Sequence, residues 1–117
     1  MDIEYFREYC LAKKGVSEGF PFDENTLVFK VMEKVFALMD VEQFQSVNLK
    51  CDPERAIELR ESNEGIIPGY HMNKKHWNTV DTDGAVDDDL FLELADHSYE
   101  LVVKGLTKKM REELDEL

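Results

Sequence analysis

The sequence contains few cysteines, prolines and glycines for its length. Its 117 residues include two cysteines, Cys10 and Cys51, with three prolines and six glycines. Two distant cysteines are too few for a disulfide framework or a four-ligand zinc site, so we expect reduced, partly buried thiols. The low proline and glycine content, with 43% hydrophobic and 34% charged residues, excludes a disordered or fibrous chain. It predicts one globular domain over residues 1–117.

Long apolar segments are also missing. No stretch approaches the roughly 18 apolar residues that a membrane-spanning helix requires. The first ten residues, MDIEYFREYC, carry acids where a secretory signal peptide needs basic residues followed by an apolar run. We therefore expect a protein that does not associate with membranes and that resides in the cytoplasm.

The chain lacks an excess of basic residues. It has 14 Lys and Arg against 26 Asp and Glu, a net charge of -12 at pH 7. This total argues against nucleic-acid binding over the whole surface, because such binding depends on cations that contact phosphates. The charge is uneven, however. Residues 81–103 contain eight acids and no Lys or Arg, whereas residues 68–80, PGYHMNKKHWNTV, contain Lys74 and Lys75 and no acid. A local basic surface is therefore compatible with the acidic total.

The hydrophobic pattern predicts an antiparallel sheet. Three runs rich in β-branched, aromatic and other apolar residues form a predicted meander, namely Leu27–Met32, Val35–Asp40 and Ser46–Cys51. Alternation within them predicts that Val47 and Leu49 point into the core, while Asn48 and Lys30 lie on the less covered face. Two further extended segments, 66–71 and 76–81, predict an additional hairpin.

Three helices are predicted to pack on this sheet, over residues 2–14, 52–64 and 87–104. The second begins with Asp52-Pro53-Glu54, which supplies a cap, a proline and an acid in the order that helix starts favour. The third begins with three aspartates, which are favourable at a helix N-terminus. The fold class is therefore α+β, with an antiparallel sheet packed by about three helices. A charged helical tail follows, and a loop over residues 17–25 is expected to pack Phe20 and Phe22 onto the domain.

Two segments that look catalytic or metal-binding lack the required geometry. The acidic run 81–89 does not have the glycine and glutamate spacing of an EF-hand loop. Asp96, His97 and Ser98 have the residue types of a hydrolase triad, but successive helical residues point about 100° apart. We therefore expect no enzymatic activity, no metal site and no cofactor, and structural hydrogen bonds for His97.

The segment 68–80 is the strongest candidate for a functional site. It mixes aromatic, imidazole, amide and cationic side chains, which can stack on bases and contact phosphates or line a polar pocket. A purely structural role, with the aromatic rings in the core and the lysines solvated, explains the same residues. A pocket for a small molecule or a protein partner would lie between this segment and the third helix, and its residues would be Tyr70, His71, Trp77, Asn78, His97 and Tyr99.

Four segments resemble the MmcQ/YjbR family of small bacterial proteins in order and spacing: LVFKVMEKVFAL (27–38), LKCDPERAIELR (49–60), PGYHMNKKHWNTV (68–80) and DHSYELVVKGL (96–106). The resemblance covers nearly the whole chain. It implies an α+β fold, described as a double wing, and DNA binding, with no cofactor or reaction. Lys30 and Lys34 then lie in a hairpin that would form a wing. The full set of implied DNA-binding residues is Lys30, Lys34, Lys50, Lys74, Lys75, His76 and Asn78.

Overall fold

The computed structural model describes residues 1–69 and 72–117. Within them the chain forms six strands: β1 Val16–Gly19, β2 Thr26–Val31, β3 Lys34–Asp40, β4 Ser46–Lys50, β5 Ile66–Pro68 and β6 Trp77–Asp81. The helices are α1 Ile3–Leu11, α2 Pro53–Ser62, α3 Asp88–Lys104 and α4 Lys108–Asp115. The strands form one antiparallel sheet in the order β1-β2-β3-β4-β6-β5. The predicted α+β class is confirmed.

The two faces of the sheet differ in what covers them. On one face, Phe29 of β2 packs edge-on against Phe6 of α1, and Phe6 in turn contacts Phe91 of α3. All three rings are fully buried, and this helix side contains the main core. The opposite side, which we call the open face, carries a row of side chains that are register partners across four strands: Val28, Leu38, Asn48 and Thr79.

The alternation predicted for the meander is confirmed. Val47 and Leu49 are buried on the helix side, whereas Asn48 and Lys30 are half-buried on the other. A β-bulge between Phe29 and Lys30 shifts the pairing of β2 with β3. The bulge places both Phe36 and Ala37 in the core, so a strict period of two fails there.

Strand β1 was not predicted, because part of it falls in the segment 17–25 that we assigned to a loop. Glutamate and glycine have low strand propensity, but pairing with the edge of β2 supplies hydrogen bonds that override it. The side chains that follow, Phe20 and Phe22, are 49% and 70% exposed. The prediction that they pack onto the domain is therefore wrong.

The predicted helical tail is confirmed and forms a separate helix, α4. Thr107 caps α4, since its hydroxyl accepts a hydrogen bond from the Met110 amide at 3.2 Å. Leu114 is 5% exposed and belongs to the core. It lies so close to Gly15 that a Cβ there would fall 2.5 Å from a leucine methyl. Gly15 has a φ of 74°, a backbone conformation that favours glycine.

The two cysteines are free, as predicted, and they are more deeply buried than the partial burial expected. Burial raises the pKa of the Cys10 thiol to about 12 and that of the Cys51 thiol to about 11. Both thiols are therefore protonated at neutral pH and serve as small core side chains. Within residues 1–69 and 72–117, no helix has the length and apolar character needed to cross a bilayer.

Candidate functional site

Lysines concentrate at one end of the sheet, where Glu33 and Asp52 also lie, and aspartates concentrate at the other end. The antiparallel order brings the C-terminal ends of β2 and β4 together with the N-terminal ends of β3 and β6. This end, which we call the lysine end, carries Lys30, Lys34 and Lys50, with Lys74 and Lys75 in the turn before β6. The other end, which we call the acid end, carries Asp23, Asp40, Asp81 and Asp83. The sequence was compatible with a local basic surface, and the strand order places the lysines together at one end of the sheet.

Two of the lysines share the open face. Lys30 alternates with Val31 and Lys50 with Leu49, so both side chains project away from the helices. One strand separates β2 from β4, which sets the two backbones about 10 Å apart. Trp77 is the register partner of Lys50 and lies on the same face. The open face at the lysine end therefore combines two amino groups with an aromatic ring.

The other three lysines lie at the margin of this surface. Lys34 is exposed beside the tight turn between β2 and β3, and Lys74 and Lys75 are exposed in the turn before Trp77. Among the described residues, no carboxylate oxygen lies within 4.0 Å of any of the five amino groups. The Lys74 Nζ is 3.4 Å from the Gly69 carbonyl oxygen. Positive charge at this end is therefore available to an anionic partner.

Arg60 of α2 holds the turn that carries Lys74. Its Nε donates to the Asn78 Oδ1 at 2.6 Å, and its Nη2 donates to the carbonyls of Lys74 and Trp77, the latter at 3.3 Å. We did not predict this role from the sequence. The available signal was a basic residue in the last turn of a helix whose other charged residues are mostly acidic.

Asn78 lies on the helix side, in contrast to its neighbour Trp77, because successive strand residues face opposite sides. It is 2% exposed, and its Nδ2 has no hydrogen-bond partner among the described residues. His76 is half-buried, and its carbonyl accepts a hydrogen bond from the Cys51 amide at 2.8 Å. The structure thus places the Asn78 side chain away from the open face, with a structural partner in Arg60.

The segment Asp96–Tyr99 ties α3 to three other parts of the fold. The Asp96 carboxylate accepts hydrogen bonds from the Tyr9 hydroxyl at 2.8 and 2.9 Å and pairs with Lys13. The Lys13 Nζ also lies 4.8 Å from the centre of the Tyr9 ring and 5.3 Å from that of Tyr99. Burial, and then the bond to Asp96, raise the pKa of Tyr9 to about 12. Asp96 therefore attaches the end of α1 to α3.

Ser98, which is fully buried, bridges β3 and β4. Its hydroxyl donates to the Phe36 carbonyl at 2.5 Å and accepts from the Lys50 amide at 2.9 Å. The register pairing between these strands ends one residue earlier, at Ala37 and Leu49. A helix side chain thus supplies the hydrogen bonds at the point where the direct pairing stops. Because Asp96, His97 and Ser98 bind different elements, they do not form a hydrolase triad.

His97 and Tyr99 make structural contacts on the helix side. The His97 Nε2 accepts a hydrogen bond from the Asp52 amide at 3.2 Å, at the start of α2. The Tyr99 hydroxyl donates to the Lys14 carbonyl at 2.6 Å, and its ring packs edge-on against Phe36. Trp77 lies on the open face, so the sheet separates it from these two side chains. The predicted pocket is therefore not assembled by its described members, and its other members, Tyr70 and His71, lie outside the described residues.

We expect the protein to become less stable as the pH is lowered, because His97 becomes protonated. Burial, and then the positive charge of Arg55, lower the pKa of His97 below its usual value of 6.5. The unfolded chain therefore binds a proton at His97 more readily than the folded protein does. The neutral imidazole contributes its full stabilisation only above the pKa that His97 has in the unfolded chain. This stabilisation is lost as the pH falls through the lower pKa that His97 has in the folded protein. Urea unfolding at about pH 7.5 and about pH 5 should show the decline.

The matched variant is His97→Gln, which does not titrate and retains a side-chain acceptor. Its unfolding free energy should change less between the two pH values than that of the parent protein. Equal pH dependence in both proteins would contradict the assignment to His97.

A groove of about 700 Å³ crosses the open face towards the acid end. Val35, Leu38, Ser46 and Asn48 of β3 and β4 form its floor. The segment 22–26 borders it on the β2 side, and Met72 on the other. Its volume lies within the about 300 to 1,000 Å³ typical of small-molecule sites. We did not predict this groove, because its residues come from four separated segments, of which only Met72 belongs to the segment 68–80.

The described residues provide no site for a metal ion, since no group of three or more His, Cys, Asp or Glu side chains gathers among them. The acidic run that suggested calcium has local structural roles. The Asp83 Oδ1 accepts a hydrogen bond from the Ala85 amide at 2.9 Å within a turn, and Asp87 occupies the N-cap position of α3. Asp87 makes no side-chain capping bond, so the acids at this helix start act through the helix dipole.

Comparison with known proteins places these features in a family. A family model described as YjbR matches residues 11–101. The chain is 36% identical over 118 residues to the uncharacterized protein YjbR of Escherichia coli K12, and the match covers 100% of both chains. It is 37% identical over 91 residues to the uncharacterized protein YbdF of Escherichia coli O157:H7, which covers 77% of this chain and 75% of that protein. The printed names of these relatives state no function.

Two crystal structures are similar to the whole fold. Deinococcus radiodurans protein DR2400, described as a DUF419 domain, matches with a TM-score of 0.91 and 46% identity, covering 97% of this chain and 87% of that chain. A protein from Pseudomonas syringae matches with a TM-score of 0.73 and 28% identity, covering 86% of this chain and 98% of that chain. The α+β architecture is therefore shared with experimentally determined structures.

Proposed function

Since this chain belongs to the YjbR family, whose relatives are named as uncharacterized proteins, we propose that it is a binding protein that contacts duplex DNA through the lysine end of its sheet. The observation that carries the proposal is the position of five lysines at one end of the sheet, without carboxylate partners among the described residues. Phosphate contacts of this kind supply most of the energy of sequence-independent binding.

The arrangement suits a small footprint. Duplex DNA carries about one negative charge per 1.7 Å of its axis, so even a short contact meets several phosphates. Lys30 and Lys50 would contact the backbone from the open face, while the hairpin bearing Lys34 would act as a wing. Trp77 lies beside Lys50 on this face and offers an apolar surface to sugars or bases.

The acid end fixes the orientation of the bound DNA. Strand β6 begins with Trp77 at the lysine end, which attracts phosphates, and ends four residues later with Asp81, which repels them. Duplex DNA would avoid the acid end and approach the lysine end alone. The net charge of -12 limits the affinity, because the acids outside the contact repel DNA until salt screens them. The lysine–phosphate contacts themselves weaken as the salt concentration rises.

The double substitution Lys74→Ala and Lys75→Ala should weaken binding to a short fluorescent duplex about tenfold at low salt, because two exposed phosphate contacts are lost. The slope of log affinity against log salt should become shallower by about two. Fluorescence anisotropy between about 50 and 200 mM salt measures both quantities. Both lysines are exposed, so the fold should be unaffected.

The matched control is Lys108→Ala with Lys109→Ala, which removes the same charge from exposed positions on α4. Binding should then change much less than in the Lys74 and Lys75 variant. Equal losses in the two variants would mean that net charge alone governs binding. No anisotropy change for the parent protein at low salt would refute the proposal. A single-stranded probe of the same sequence should bind more weakly, since the proposed contacts span a duplex.

A further inference from the structure

We propose that the groove on the open face binds a small organic cation, an ammonium group attached to an aromatic or branched apolar body. The groove runs along the open face from Val35, the register partner of Lys30, towards the acid end. None of the five lysines proposed to contact DNA lines the groove, and this proposal does not depend on the DNA proposal. Shape, lining chemistry and charge each support this assignment.

The floor and rim offer an apolar surface to a ligand. Leu38 is 8% exposed at the bottom of the groove, and Val35 lies beside it as a half-buried side chain. Phe22, at the rim, is 70% exposed. An exposed aromatic ring above an aliphatic floor suits the body of an apolar ligand, and aromatic faces also attract cations.

Hydrogen bonds within the protein orient polar side chains of the groove. The Asn48 Oδ1 accepts a hydrogen bond from the Thr79 hydroxyl at 2.5 Å, which fixes the amide. The Asp40 Oδ1 accepts a hydrogen bond from the Glu42 amide at 2.9 Å, and its Oδ2 has no hydrogen-bond donor among the described residues.

The charge of the lining selects a cation. Among the described residues that line the groove, two are charged, Asp23 and Asp40, and none is basic. Asp81 is the register partner of the lining residue Ser46 and adds a third carboxylate nearby. Burial, and then the charge of Asp83, raise the pKa of Asp81. Negative potential therefore accumulates at this end of the groove, where a cation relieves it and an anion is repelled.

The test uses two probes with the same ring system and opposite charge, tryptamine and indole-3-propionate, followed by amide chemical shifts in nitrogen-labelled protein. Tryptamine should shift the amide signals of Val35, Leu38 and Asn48, whereas indole-3-propionate should not. Equal binding of both probes would overturn the selection by charge. Absence of any shift with tryptamine, or shifts confined to other parts of the chain, would overturn the site.

Two pairs of variants locate the contacts. Phe22→Ala removes the exposed rim and should weaken tryptamine binding about threefold, while the control Phe20→Ala, in the same loop but outside the groove lining, should not. Asp40→Asn keeps an acceptor for the Glu42 amide and should weaken binding up to about fivefold. Its control is Asp115→Asn, an equal charge change in α4. If the controls weaken binding as much as the groove variants, the proposed site is wrong.

These experiments are independent of the DNA proposal. Lys74→Ala with Lys75→Ala should leave tryptamine binding intact, because neither lysine lines the groove. Phe22→Ala should likewise leave DNA binding intact. Loss of both activities in one of these variants would contradict two separate sites.

Discussion

Replacing Arg60 with methionine should lower the free energy of unfolding by about 2 to 3 kcal/mol, because buried polar groups would lose a charged hydrogen-bond donor. The Asn78 side chain, which is 2% exposed, would keep no partner among the described residues for either end of its amide. The carbonyls of Lys74 and Trp77 would lose the same guanidinium. Methionine retains most of the aliphatic volume, so the loss reports on hydrogen bonding rather than on packing.

Urea unfolding measures the change in the free energy of unfolding. Hydrogen exchange of the amides in the turn 73–76 shows whether this turn is the part that is destabilised. Protection there should fall more than in α3. The double variant Arg60→Met with Asn78→Leu should recover most of the stability, because both polar partners are then removed together. Arg111→Met, at an exposed position in α4, should change the stability by no more than about 0.5 kcal/mol. A similarly small effect of Arg60→Met would show that the network is not required.

Replacing Ser98 with alanine should cost about 2 to 4 kcal/mol. The Phe36 carbonyl and the Lys50 amide would both lose a partner in the interior, and each unsatisfied buried group costs about 1 to 3 kcal/mol. The removed hydroxyl leaves little volume to refill, so the loss of hydrogen bonds dominates over the cavity. Urea unfolding measures this loss. A lower midpoint with an unchanged dependence of the free energy on urea concentration reports a change in stability.

Ser62→Ala is the matched control, because the Ser62 hydroxyl donates to the Glu58 carbonyl on the exposed surface of α2. It should have an effect below about 0.5 kcal/mol. An equally small effect of Ser98→Ala on the free energy of unfolding would contradict the prediction. It would mean that β3 and β4 form the missing hydrogen bonds with each other. Ser98→Thr should also destabilise, since its extra methyl enters a fully buried position.

These two predictions concern segments that the family resemblance singled out, and they explain why those segments stand out. Arg60 ends LKCDPERAIELR, and Asp96, His97 and Ser98 begin DHSYELVVKGL. In the structure, their side chains join helices to one another and to the sheet. Much of the family signature therefore specifies the fold. A role in ligand binding has to be argued from the residues that remain on the open face.

The sequence determined the elements whose signals are local. Alternation predicted the inward Leu49 and the outward Lys30, because side chains along a strand necessarily face opposite sides. The order Asp52-Pro53-Glu54 predicted the start of α2, because the cap and the proline act on their own backbone neighbours. The three aspartates at 87–89 likewise predicted the start of α3, which begins at Asp88.

Only the tertiary structure decided which side chains meet. Strand β1 forms because the edge of β2 is available to it, a partner that its own residues do not reveal. Asn78 and Trp77 are adjacent in sequence but lie on opposite sides of the sheet, so a pocket that uses both could not form there. The five lysines share one end, and the groove residues share one face, because the strand order brings distant segments together. Pairing between distant segments depends on the whole chain, and no local pattern contains that information.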